Sequence, residues 1–262
     1  MTNLIKLVVS NWNEILDAER DPIVDQWPLM SSPGPVIAIL AVYLTFVLKI
    51  GPQYMEKKPP FELKKTLVWY NAIQVLFSIW LTILALKTQF YKHVLMGTCS
   101  SGNASVQSGL STAAWWYFFA KIIELLDTIF FVLRKKQNQV SFLHVYHHTV
   151  TALYSWAYLK FLPGEQGLLV GFLNSLVHIF MYTYYMIAAM GPQYKKYLWW
   201  KKYMTIIQLI QFGLMLAYLM MILAMDCSMP KILTYFFTMN VTIFLYLFSN
   251  FYRKAYKKKK II

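Results

Sequence analysis

Seven stretches of this chain are almost wholly apolar, at roughly 35–53, 65–86, 113–133, 140–159, 166–189, 203–225 and 232–252. Each is close to the ~20 residues a helix needs to cross a bilayer. None shows the strict alternation of a half-buried strand. The connecting segments are short except those around 54–64 and 87–112. The pattern predicts one all-α integral membrane domain over residues 1–262, with seven transmembrane helices, a lumenal segment at 1–34 and a basic tail at 253–262. Residues 1–34 carry Glu14, Asp17, Glu19, Asp21 and Asp25, unlike a secretory signal peptide.

Composition agrees: 58% of the residues are hydrophobic and 18% aromatic, above the ~45–50% apolar share of soluble domains. A net charge of +14 raises the question of nucleic acid, but the placement of the charge argues against it. Most of the 25 basic residues sit at alternate span ends: Lys49 to Lys65, Arg134 to Lys136, Lys195 to Lys202, and Arg253 to Lys260. The positive-inside bias puts those ends and the C-terminus in the cytosol, and the N-terminus on the other side. The two cysteines, Cys99 and Cys227, then both fall on the non-cytosolic side, where a disulfide between them would persist. The sequon at Asn103 lies in the same loop and is a candidate glycosylation site. The tail "KKKKII" places Lys259 and Lys260 as in a dilysine signal that retrieves membrane proteins to the endoplasmic reticulum; a basic anchor at an anionic leaflet is the plainer reading.

The informative minority is the polar residues inside the spans. "FLHVYHH" carries His144, His147 and His148 within an arc of about 100° on one helix face. "KIIELLDT" puts Lys121, Glu124 and Asp127 on one face of the third span, with Lys121 and Glu124 spaced to pair. The fifth span offers Asn174, His178, Tyr182 and Tyr185; the sixth offers Thr205, Gln208 and Gln211. His147 lies about 16 Å along the helix from Lys136, and Glu124 about 15 Å from Arg134. Ionisable groups in hydrocarbon are costly and usually face a functional cavity. Four of the five histidines at similar depth predict one buried site on the cytosolic side.

Histidine clusters suggest a metal first. Di-iron membrane desaturases, however, need more histidines than the four available, since His93 lies in a loop on the other side. Without a metal, neutral imidazoles suit acid–base work and nucleophilic attack on an acyl group. The cysteines lie on the wrong side to act as a nucleophile, and no G-x-S-x-G elbow is present. Arg134, Lys135, Lys201, Lys202 and Arg253 flank the cytosolic mouth and suit the phosphates of a coenzyme A thioester. A seven-helix receptor would need an outward-facing site. A transporter would need a polar path reaching both sides, and the outer halves of these spans are apolar.

"KIIELLDT", "FLHVYHH", "NSLVHIFMYTYY" and "TIIQLIQ", in this order, resemble the signature blocks of the very-long-chain fatty acid elongases, condensing 3-ketoacyl-CoA synthases of the endoplasmic reticulum. The likeness extends to "PFELKK" at 60–65 and to the basic tail. It implies seven helices, six of them as two inverted three-helix units around a closed acyl tunnel. It implies the condensation of acyl-CoA with malonyl-CoA, with no further cofactor and no metal. On that basis His147 is expected to take the acyl group. His178 would position malonyl-CoA or steady its enolate. His144 and His148 would orient groups or move protons. Lys121, Glu124, Asp127, Asn174, Gln208 and Gln211 would hold them. The alternative is a metal-dependent fatty acyl desaturase or hydroxylase. Expected partners are the two CoA substrates, membrane lipid and other enzymes of the elongation cycle; pairing with a second copy of the chain stays open. Chain length also stays open. Gln139 and Val145 resemble branches acting on longer or polyunsaturated chains, whereas "TALYSW" resembles one acting on saturated medium-to-long chains.

Overall fold

A computed structural model describes residues 23–92, 104–161, 167–225 and 231–256. Among these the chain forms seven long helices: α1 (Gly34–Glu56), α2 (Lys64–Lys87), α3 (Ala104–Leu133), α4 (Phe142–Phe161), α5 (Leu168–Ala189), α6 (Lys201–Ala224) and α7 (Lys231–Tyr256). Four of them, α1, α2, α5 and α6, are long and apolar enough to cross a membrane. In α3 the buried Lys121, Glu124 and Asp127, and in α4 the three box histidines, lower the apolar character. Cys99, Cys227, Asn103, Lys259 and Lys260 lie outside the described residues.

Two helix ends depart from the apolar pattern. The third apolar run begins at 113, yet α3 starts at Ala104. Hydropathy marks where hydrocarbon begins, not where the backbone stops being helical; 30 residues make a helix of about 45 Å, longer than a ~30 Å hydrocarbon slab. α1 continues past Gly51-Pro52, where a helix usually breaks because proline lacks an N–H and crowds the carbonyl four residues back. The turn Phe46–Ile50 widens to a π-turn, and the Gly51 N–H bonds the Phe46 carbonyl. That wider turn lets the helix run on to Glu56.

The helices close a ring. α2 packs on α5, α5 on α6, α6 on α7, α7 on α4, α4 on α3, and α3 on α2. α1 packs against α3 and α4, in a cluster that includes Val36, Tyr43, Phe118, Leu125 and Trp156. The segment before α1 is tied to the same helices. Trp156 and Trp115 donate indole N–H bonds to the Leu29 and Pro28 carbonyls at 2.9 and 3.2 Å. The buried Lys160 ammonium bonds the Met30 carbonyl at 2.8 Å and pairs with Asp25.

Candidate active site

Where α3 faces α5, four polar side chains satisfy one another in the protein interior. Lys121, Glu124 and His178 are only 2%, 3% and 5% exposed. Lys121 Nζ donates to Glu124 Oε1 and Oε2 at 2.8 and 3.0 Å, and to Asn174 Oδ1 at 2.6 Å. Tyr117 Oη donates to the same Asn174 oxygen at 2.9 Å. Two donors on Oδ1 fix the amide, so its Nδ2 faces His178 Nε2 at 3.4 Å. His178 Nδ1 lies 3.1 Å from Glu124 Oε1. A carboxylate on one side and an amide N–H on the other specify a neutral imidazole with its proton on Nδ1 and its lone pair on Nε2. A buried carboxylate that meets both an ammonium and an imidazole avoids the penalty of an uncompensated ion.

One turn further along, Tyr182 Oη donates to Asp127 Oδ2 at 2.8 Å. The Tyr182 ring packs edge-on against His178 at 5.4 Å and against Tyr70 of α2 at 6.4 Å. Asp127 thus holds Tyr182, and Tyr182 in turn bounds the His178 ring. Tyr185 continues this row, with its ring 6.3 Å from that of Tyr182.

The three box histidines divide into two environments. The His144 and His148 rings meet at a tilt, 4.4 Å between centroids, and His144 also packs on Phe131 of α3 at 5.1 Å. His144 Nε2 and His148 Nδ1 are buried and have no hydrogen-bond partner among the described residues. His147, at the other edge of the arc, meets Phe244 of α7 at 5.1 Å. His147 is the box histidine that lines an internal cavity.

All six ring helices contribute to that cavity. Its walls are chiefly apolar and aromatic. From His147 it runs along α4 to Tyr158, and it reaches Gly167 and Leu168 at the start of α5 and Ala85 near the end of α2. It therefore extends away from the basic helix ends. Asn174 and Gln211 line it, and Gln211 Oε1 is buried with no partner among the described residues. Gln208 is half-buried and outside the lining. None of Arg134, Lys135, Lys201, Lys202 or Arg253 lines the cavity. Lys135, Lys201, Lys202 and Arg253 are exposed, and Lys135 Nζ donates to the Glu56 carbonyl at 3.1 Å. Among the described residues no three His, Cys, Asp or Glu side chains converge as metal ligands.

A family model described as ELO: GNS1/SUR4 family matches residues 28–261. The chain belongs to this family. It is 44% identical over 97% of its length, and 78% of the relative's, to very long chain fatty acid elongase 7 of Drosophila melanogaster. It is 40% identical to very long chain fatty acid elongase 4 of Homo sapiens, over 92% of this chain and 77% of the other. With very long chain fatty acid elongase 1 of Mus musculus the identity is 36% over 98% and 93%.

Several residues of this ELO-family site escape a reading of motifs. Tyr117 holds Asn174 and lines the cavity; its position four before Lys121 continues the polar stripe of α3, but tyrosines in spans read as packing. Tyr146 Oη donates to Asn240 Oδ1 at 2.7 Å, joining α4 to α7. On α2, Asn71, Gln74 and Ser78 are buried at helical spacing, and Gln74 Nε2 donates to Tyr70 Oη at 3.2 Å.

Proposed function

We propose that this ELO-family chain is the condensing enzyme of fatty acid elongation, extending an acyl-CoA by two carbons with malonyl-CoA. The observation that carries the reading is the placement of His147, the box histidine on the cavity wall, beside a site in which His178 is held neutral and oriented. The names of the relatives support the substrate class.

In the proposed reaction a ring nitrogen of His147 attacks the thioester carbonyl. The new N–C bond forms as the C–S bond breaks, and coenzyme A leaves as the thiol with the ring proton. Malonyl-CoA then loses its carboxylate as CO2, and the electron pair left on C2 attacks the acyl carbon. The N–C bond breaks, the imidazole takes up a proton from solvent in place of the one that left with coenzyme A, and the 3-ketoacyl-CoA departs. The second N–H of the Asn174 amide, on the cavity wall, is suited to steady charge as it develops on the enolate oxygen, and His178 orients that amide for malonyl-CoA. His144 and His148 serve in orientation and proton movement, with Lys121, Glu124, Asp127 and Gln211 as support. Arg134, Lys135, Lys201, Lys202 and Arg253 cluster at the basic end of the bundle and are assigned to the coenzyme A phosphates. In this reading the six-helix ring, two three-helix units of inverted sense, is an acyl tunnel in a seven-span protein of the endoplasmic reticulum, with its C-terminus cytosolic.

The test is direct assay of the purified protein with malonyl-CoA and a panel of acyl-CoAs. The expected outcome is a 3-ketoacyl-CoA two carbons longer, with equimolar CO2, unaffected by chelators. A product desaturated or hydroxylated at unchanged length, dependent on oxygen and bound metal, would replace this reading with the metal-dependent one.

A further inference from the structure

Of the α4 residues on the cavity wall, Tyr158 is the farthest along the helix from His147. His147, Thr151, Ser155 and Tyr158 share the face of α4 that lines the space, eleven residues from first to last, a rise of about 16 Å. The Gly167 N–H donates to Tyr158 Oη at 2.7 Å. A Cβ placed on Gly167 would lie 2.2 Å from the Tyr158 ring. The ring is therefore seated on bare backbone, at a spacing no side chain permits, and its hydroxyl is anchored there. Leu168, which also lines the cavity, joins Phe90, Leu110 and Ala113 in a packed apolar cluster.

We infer that Tyr158, latched onto Gly167, is the stop that limits the length of the acyl chain this protein accepts. The inference rests on the acyl-CoA reading above and adds a determinant of its substrate class. An apolar chain end can lie against the ring, but it gains nothing by displacing a hydroxyl whose partner would then be an unsatisfied backbone N–H. With carbon–carbon bonds of about 1.5 Å an extended chain advances about 1.25 Å per carbon, so a straight run of about 16 Å holds about a dozen carbons beyond the imidazole; a bent path holds more. Truncating the tyrosine to alanine frees about 5 Å, the length of about four carbons.

The experiment compares full-length wild type, Tyr158→Ala and Tyr158→Phe, purified in detergent, on saturated acyl-CoAs rising in two-carbon steps. Two readouts are taken: product formed with malonyl-CoA, and the rise in Tm that each acyl-CoA gives without it. Tyr158→Ala is expected to move the upper length limit by about two to four carbons in both readouts. Tyr158→Phe keeps the ring but loses the latch, and is expected to give a limit between those of wild type and Tyr158→Ala. Should the alanine variant fail to fold, Tyr158→Leu is expected to give a smaller shift in the same direction. An unmoved limit, or an equal loss at every length, would overturn the inference. If wild type binds acyl-CoAs with a limit that Tyr158→Ala shifts, yet makes no condensation product, the stop stands and the proposed reaction falls. If condensation occurs with a limit that Tyr158 does not set, the reverse holds.

Discussion

Lys121 is the residue on which the polar cluster balances. Its ammonium touches Glu124 and Asn174, and through them it fixes both nitrogens of His178. Replacing it with methionine keeps the volume but leaves a buried carboxylate without its cation, a change that costs about 3–5 kcal/mol. Lys121→Met is therefore expected to lower Tm sharply in detergent as well as activity; a wild-type Tm would show that Glu124 finds compensation elsewhere. The Lys121–Glu124 pair is legible in the sequence because it needs only the i,i+3 geometry of one helix. Asn174, 53 residues further on, is recognisable as polar and deep, but its bond to Lys121 depends on how α3 and α5 pack. The box histidines show the same limit. Their spacing places them within one arc, and the packing of Phe131 and Phe244 then divides it, sending His144 and His148 to one side and His147 to the cavity. Gln208 was expected beside Gln211, but at three residues' remove the two side chains point about 60° apart, and only Gln211 lines the cavity.

Among the elements, α1 makes the sharpest case. At Gly51 an added Cβ would come within 2.7 Å of Val132 Cγ1 on α3 and 2.8 Å of the Phe46 carbonyl. The glycine thus permits both the π-turn and the close approach of α1 to α3. Gly51→Ala is expected to cost about 1–3 kcal/mol through overpacking, read as a lower Tm with the same α-helical content by circular dichroism; an equal or higher Tm would mean that α1 can shift at no cost. The first apolar run ends near 53, and α1 instead continues to Glu56, since the π-turn removes the clash that proline would otherwise cause. The apolar pattern locates all seven long helices to within a few residues, except at the start of α3. There the polar run "ASVQSGLST" is helical without being apolar, which periodicity of hydrophobic residues does not register.

For the whole molecule, the contact order of the helices is the least legible feature in the chain and the one that gives the site its meaning. Short connections make sequence neighbours pack, as α3 does on α4 and α6 on α7, but the contacts of α2 with α5 and of α7 with α4 close the ring. Closure makes a common cavity for residues drawn from six helices, with His147 and Tyr158 both on its wall. Polar depth along the spans sets residues of several helices at one level; the direction of the cavity, away from the basic ends, comes from the packing. In the proposed reaction His147 carries the acyl group across this space. That step is tested most directly by incubating the purified protein with acyl-CoA alone, digesting it, and mapping acylated peptides by mass spectrometry before and after hydroxylamine. The expected result is an acyl mass on His147, removed by hydroxylamine or by malonyl-CoA with release of product, and absent in His147→Ala, which makes no product. An unmodified His147 in protein that turns over, or the adduct on another histidine, would contradict it.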